Sequence, residues 1–343
     1  MTVLPEHMTA SVLKGVREMA VEQRPLPVPE RDEVLVRVSS VGVCGSDVHF
    51  WAEGSLGDWV VDAPLVLGHE SSGTIVAVGA DVSPSRIGSR VSIEPQHPDP
   101  TSSESMAGHY NLDPGMRFFA TPGVDGAFAE FVTIQSHFAW DVPDTISDDA
   151  AALMEPLSVA VATIRKAGIT VGSRVLITGA GPIGVVIAQT ARAYGAREII
   201  VSDVSAARRQ QAMTFGASET IDPMVTDIAS LGLDVDAFID ASGAAAAVQS
   251  GIHAVRPGGR VVLVGMGAPT VSIPVPLIQN RELIVTGVFR YANTWPTAIE
   301  LVASGRVDLD ALVTGHFGID QVEAALASTT EPGVLKSIVN PGR

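Results

Sequence analysis

The stretch Gly179-Ala180-Gly181-Pro182-Ile183-Gly184 constrains this chain more than any other feature. It follows a β-branched apolar run, Arg174–Thr178, and opens a helical pattern over Ile183–Tyr194. At such a junction the first glycine permits a tight turn. The second lets the backbone approach a pyrophosphate held at the helix N-terminus, and the third lets helix and strand pack closely. The spacing therefore predicts a dinucleotide cradle built from Gly179, Gly181, Pro182, Ile183 and Gly184.

The downstream rhythm agrees. Strands are expected at Glu198–Ser202, Val235–Ile239, Arg260–Val264 and Leu283–Val288, with helices at Ala206–Phe215 and Ala244–Val255. Strands alternating with helices of this length indicate an α/β, doubly wound parallel sheet. Asp203 ends the second strand, 19 residues after Gly184, where a carboxylate accepts ribose hydroxyls and repels a 2′-phosphate. NAD is favoured over NADP, although Arg208 and Arg209 stand near enough to accommodate that phosphate. The bland alternative is a nucleotide-free domain in which Asp203 is an incidental cap.

The first 150 residues have a different texture. Short strands at Glu33–Val38, Gly73–Val78, Arg90–Ile93 and Ala127–Val132 are broken by glycine, proline and aspartate, an all-β pattern of a partly open barrel. After Phe289 come helix signals at Thr297–Ala303 and Gln321–Ser328, then a strand, Lys336–Val339, that can return to the first domain. A chain of 343 residues is long enough for two such cores.

Composition narrows the partners. With 22 basic and 38 acidic residues the chain carries a net charge of −16, which repels nucleic acid. Apolar stretches such as Val185–Ala188 and Val261–Val264 are far shorter than the roughly 18 residues a membrane span needs. Met1–Ala10 has no basic segment followed by an apolar one, so it does not read as a signal peptide. The single cysteine, Cys44, allows no internal disulfide and no multi-thiolate metal site, which suits a reducing, cytoplasmic setting.

Three segments of the first domain carry groups able to do chemistry: Gly42-Val43-Cys44-Gly45-Ser46-Asp47-Val48-His49, Gly68-His69-Glu70 and Met154-Glu155-Pro156. One thiolate, one imidazole and one or two carboxylates form a plausible ligand set for a zinc ion with an open position. The separations of 25 residues from Cys44 to His69 and 86 from His69 to Glu155 are too wide for a local finger, so the fold must bring them together. Taken singly, each has a plain structural alternative: a buried small thiol, a hydrogen-bonded imidazole, a solvated carboxylate.

Four segments taken in order resemble the medium-chain dehydrogenase/reductase superfamily, and within it the sorbitol (L-iditol) and xylitol dehydrogenase group. They are Gly42–His49, Leu67–Gly73, Glu155–Ala160 and Val288–Pro296, and the resemblance extends over essentially the whole chain. It implies a GroES-like β-barrel catalytic domain over residues 1–156, completed by about 290–343, and a Rossmann NAD-binding domain over 157–289. It further implies one catalytic zinc at Cys44, His69, Glu70 and Glu155, with Glu155 also acting on the metal's water or the substrate. Arg290 and Tyr291 would contact the substrate, as would Phe50, which replaces a tyrosine common in the polyol enzymes. Ile183, Asp203, Arg208, Val264, Gly265, Met266, Val288, Phe289 and Arg290 would line the cofactor. Where many relatives place four cysteines around a structural zinc, Glu94–Asp113 offers Asp99, Ser102, Ser105 and Asp113, so that second ion is expected to be absent.

The implied activity is oxidation of a secondary hydroxyl of a polyol to a ketone, with zinc as Lewis acid and NAD as hydride acceptor. Ser46 would take the alcohol proton and pass it through the nicotinamide ribose to His49, a water held by Glu155 being the competing route. The implied assembly is a homotetramer. Two other readings stand beside this one: the same chemistry on L-threonine or 2,3-butanediol, and a zinc-free nucleotide-binding or crystallin-like structural protein.

Overall fold

The computed structural model describes residues 4–267 and 269–343. The chain divides into two compact units, one running to Glu155 and taking in Leu309–Arg343, the other Pro156–Asp308.

The second unit is built on a six-stranded parallel sheet. Its strands lie in the order Glu219–Ile221, Glu198–Ser202, Arg174–Thr178, Val235–Asp240, Val255–Leu263, Ile284–Gly287. The central strands are almost wholly apolar because helices cover both faces; Val175, Leu176, Ile177, Phe238 and Ile239 have no exposed surface. From Arg174–Thr178 the chain winds to one edge and then returns to the other side, so the order reverses beside Gly179. Open α/β sheets take their ligands at such a switch point. The helix Pro182–Ala193 starts with Gly181 as N-cap and proline in its first turn, where a missing N–H costs nothing.

The expected helix over Ala244–Val255 is shorter. It runs Ala245–Gly251, adds a 3-10 turn at Ile252–Ala254, and the next strand begins at Val255 rather than Arg260. That strand passes through Pro257-Gly258-Gly259 with a shift in register against Val235–Asp240, a bulge that hides its first half from a pattern search.

The first unit is a largely antiparallel β structure, with a parallel pairing between Val313–Gly318 and Lys336–Asn340. A seven-stranded sheet follows the order Ala139–Asp141, Arg90–Ile93, Glu70–Val78, Glu33–Gly42, Lys336–Asn340, Val313–Gly318, and Phe131–Gln135 also pairs with Glu33–Gly42. The C-terminal strand Lys336–Asn340 sits beside the end of Glu33–Gly42, with Val339 opposite Val41. A smaller sheet of Glu18–Pro25, His7–Gly15 and Leu65–Val66 closes over a core that includes Val36, Val41, Leu67, Ile75 and Phe128.

The strand expected at Ala127–Val132 is instead Phe131–Gln135. Ala127 and Phe128 are apolar and buried, but their N–H groups donate to the carbonyls of Gly68 and Leu67, so this run crosses between elements. Before Phe131 the run pairs only through an isolated bridge, Ala129 opposite Ala10, so its burial extends the apparent strand beyond its ladder. Among the described residues no helix is long and apolar enough to cross a membrane.

Candidate active site

Cys44 caps the N-terminus of the helix Gly45–Glu53, just beyond the end of the strand Glu33–Gly42. Its own N–H donates to Asp47 Oδ2 at 3.0 Å. The other oxygen of Asp47 accepts the Gly68 N–H at 2.9 Å and faces His69 Nδ1 at 3.5 Å. Gly68 has φ +88, and a Cβ there would lie 2.8 Å from the Phe128 ring, so only glycine lets the chain turn into His69 at this point. Asp47, fully buried, thus ties the cysteine loop to the histidine loop and fixes the imidazole by one nitrogen, as carboxylates behind metal-bound histidines do.

Glu70 opens the next strand, opposite Gly42. Its Oε1 accepts from Lys336 Nζ at 2.6 Å, and the same ammonium donates to the Val43 carbonyl at 2.8 Å. Both side chains are buried, at 4% and 1% exposure. Glu70 Oε2 is also buried but has no hydrogen-bond partner. The space it occupies exists because residue 42 is glycine: a Cβ there would stand 2.1 Å from that oxygen.

The electrostatics of this pocket favour a cation. Burial opposes charge on His69, yet Asp47 and then Cys44 push its pKa well above the usual histidine value. Burial likewise disfavours the Lys336 ammonium, and Glu70 and then Cys44 outweigh it and hold the pKa above that of an ordinary lysine. For Asp47, burial is outweighed by His69 and the backbone donors, and its pKa is lowered. Anions that retain a proton on a buried imidazole provide equally well for a metal ion in its place. Among the described residues one group of three has metal-binding potential: the ligand atoms of Cys44, His69 and Glu70 all lie within 4.8 Å of one another. The donor set of sulfur, nitrogen and oxygen fits zinc, and the unpartnered Oε2 is the kind of buried atom that a cation satisfies.

The other expected residues are distributed more widely. Glu155, second residue of the helix Met154–Ala167, is buried and close enough to act electrostatically on Lys336 and on Glu94, but stands outside the group of three. Ser46 is half-buried on the Cys44 helix. His49 lies on its exposed side, Nδ1 3.1 Å from Glu53 Oε1. Phe50 points into the hydrophobic core of its unit and is 2% exposed. In the second unit Tyr291 is buried edge-on against Trp295, while Arg290 adopts φ +54 with its guanidinium 4.7 Å above the Phe289 ring.

Oxygen atoms and backbone amides close the stretch Glu94–Asp113. Asp113 accepts the N–H of Asp99 at 2.7 Å and that of Gly115 at 3.2 Å, and Ser102 donates to Ser105 at 3.0 Å. Glu94 at its base accepts from Tyr110, Trp140 and Gln96, and burial pushes its carboxyl up to about 7.

The glycine-rich turn of the second unit sits at the switch point. Gly179 has φ +91, and a Cβ on Gly184 would stand 1.8 Å from the Gly179 carbonyl. A Cβ on Gly181 would meet nothing, so protein packing does not explain that glycine. Asp203 Oδ2 accepts the Ala180 N–H at 2.8 Å and Oδ1 that of Ser205 at 2.8 Å, which fixes the loop behind the second strand. Arg208 is exposed on the helix Ala206–Thr214. Val264 and Gly265 both donate to the Asp240 carbonyl, Met266 is exposed, and Val288 donates to Leu263.

Three residues that sequence reasoning did not assign prove central. Asp47 carried a signal, since an acidic residue three positions after an N-cap can bond back to it. Asp240 accepts from Thr178, Ser242 and Gly243 and organises the turn facing Gly179. Lys336 gave no local signal, because its partner is 266 residues away.

Residues 182–304 match the zinc-binding dehydrogenase family, and residues 30–144 the alcohol dehydrogenase GroES-like domain. The chain is 41% identical over 328 residues to the sorbitol dehydrogenase of Gallus gallus, covering 93% of this chain and 92% of that protein. It is 39% identical over 340 residues to a probable D-xylulose reductase A of Aspergillus fumigatus, covering 96% and 95%. Among solved structures it superposes on a short chain alcohol dehydrogenase of E. coli complexed with NADH, with TM-score 0.92, 26% identity, and coverage of 98% and 100%. The near-complete span of these matches, together with a single thiolate–imidazole–carboxylate cluster, places the chain in the zinc-binding medium-chain alcohol dehydrogenase family, beside the sorbitol dehydrogenases.

Proposed function

We propose that the chain oxidises a secondary hydroxyl of a sorbitol- or xylitol-like polyol to a ketose, with the first unit holding one zinc and the second holding NAD. The observation that carries the reading is the convergence of Cys44, His69 and Glu70 in a protein of this family. When bound, zinc supplies Lewis acidity to an alcohol oxygen and the dinucleotide supplies the hydride acceptor.

The residues of the chain do the rest. Cys44, His69 and Glu70 hold the ion; Asp47 orients His69, and Lys336 holds one oxygen of Glu70 so that the other is presented to the cluster. Glu155, buried beside these groups, is the further carboxylate of the site. Ser46 accepts the departing proton, and His49, exposed and already bonded to Glu53, returns it to solvent. Arg290 and Tyr291 are assigned to the substrate. The turn Gly179–Gly184, Asp203, Arg208, Val264–Met266 and Val288–Arg290 are assigned to the cofactor. The unexplained glycine at 181 supports the assignment, because a pyrophosphate at the helix N-terminus needs that space. With hydrogen bonds closing the Asp99–Asp113 lobe, no second zinc is assigned.

A cytoplasmic setting is assigned because a free thiol serves as metal ligand. A homotetramer is assigned because the sheet ends in an open edge, Ile284–Gly287, with Ile284 and Val285 exposed. A panel of sorbitol, xylitol, ribitol, L-arabinitol and galactitol, followed by NADH absorbance, tests the activity. NADH formation with at least one polyol, and less with L-threonine or 2,3-butanediol, is expected. Turnover confined to the latter two would sink the polyol reading.

A further inference from the structure

Arg209 is one of two arginines near Asp203 that could in principle receive a 2′-phosphate, and its surroundings show a different commitment. Nη1 donates to the carbonyl oxygens of Asp203 at 2.7 Å and Val204 at 3.1 Å. Nη2 lies 2.8 Å from Asp222 Oδ2, with the two side chains 16% and 28% exposed. Asp222 follows the edge strand Glu219–Ile221, whose last carbonyl accepts the Asp203 N–H at 3.3 Å. Its second oxygen accepts the Met224 N–H at 2.9 Å, so the carboxylate is fixed on both sides.

We infer that the Asp222–Arg209 pair determines coenzyme specificity in this chain: it clamps the Asp203 loop and neutralises the guanidinium that would otherwise receive a 2′-phosphate. The inference rests on the dinucleotide reading above. An arginine recognises phosphate through a free fork of parallel N–H donors. Here one side of the fork is occupied by two carbonyls and the other by a carboxylate. A 2′-phosphate approaching this loop meets the carboxylates of Asp203 and Asp222 with the Arg209 charge already matched. Removing the Asp222 charge leaves the Arg209 guanidinium uncompensated beside the ribose position, in addition to the exposed Arg208, with the loop carbonyls still bonded.

Direct titration of the whole protein with NADH and with NADPH, without substrate, tests this. The wild type is expected to bind NADH more tightly. Asp222→Asn keeps an oxygen for the Met224 N–H but loses the charge. It is expected to shift the NADPH-to-NADH affinity ratio about tenfold toward NADPH, as expected for one nearby charge in a partly exposed site. Adding Arg209→Gln to that variant is expected to abolish the gain, which identifies the guanidinium as its source. If the wild type binds neither nucleotide, the dinucleotide reading fails and takes the inference with it. If the wild type binds NADH and Asp222→Asn leaves the ratio within twofold, or weakens both nucleotides equally, the clamp has no role in specificity and the dinucleotide reading stands.

Discussion

Replacement of Lys336 by methionine is expected to destabilise the metal-free protein by about 3–5 kcal/mol, the usual cost of removing one partner from a buried ion pair. The ammonium serves two acceptors, Glu70 Oε1 and the Val43 carbonyl, and both are sealed from water. Methionine fills most of the volume, so the loss reports charge and hydrogen bonding rather than a cavity. Burial is outweighed by Glu70 and then Cys44, which hold the Lys336 pKa above the ordinary lysine value of 10.5, so its contribution is fully present below that value and the deficit should appear at both pH 5 and pH 8. Saturating zinc should recover part of the loss, because a cation on the cluster compensates the same carboxylate. Denaturant unfolding of both proteins, metal-free, at pH 5 and pH 8, measures this. A difference below about 1 kcal/mol at both pH values would mean that the pair is no more than a surface-type bridge.

The second large effect is expected at a residue with no functional group. In Gly42→Ala the new methyl would stand 2.1 Å from Glu70 Oε2 and 2.9 Å from Leu153 Cδ2. Neither neighbour has an easy escape: Leu153 is fully buried, and Glu70 is held by Lys336 at its other oxygen and by strand pairing at its backbone. The carboxylate must leave the cluster, or the two strands must separate. Overpacking of this kind costs about 1–3 kcal/mol in stability. Displacing a ligand by about an ångström costs on the order of a hundredfold in catalysis. Zinc affinity, read by competition with a chromophoric chelator, is expected to fall in parallel with kcat/KM. Wild-type affinity in this variant would show that Glu70 is not a ligand.

Sequence and structure agree where signals are local. The parallel sheet was legible because strands buried on both faces read as continuous apolar runs such as Arg174–Thr178, and the glycine at 184 answers to a steric demand five residues away, the Gly179 carbonyl. The hairpin of His7–Gly15 and Glu18–Pro25 was not legible, because its turn places Arg17, not glycine or asparagine, at φ 56. At the site, the ligand types could be named from the chain, but what arranges them could not. Lys336 reads as the polar start of an apolar strand until the fold sets it against Glu70, and Gly42 reads as a strand end until the space it leaves is seen to hold a carboxylate oxygen. Phe50 shows the converse: a position singled out by resemblance to the polyol enzymes is packed in the core of its unit. Contacts between segments far apart in the chain carry this information, and no local pattern encodes them.

X-ray absorption at the zinc edge of the purified protein tests the central assignment most directly. Because Cys44 is the only thiol, the account requires one sulfur neighbour at about 2.3 Å, with the remaining shell made of nitrogen and oxygen at about 2.0–2.2 Å. A zinc shell without sulfur, or a fully active protein with no zinc to measure, would contradict it.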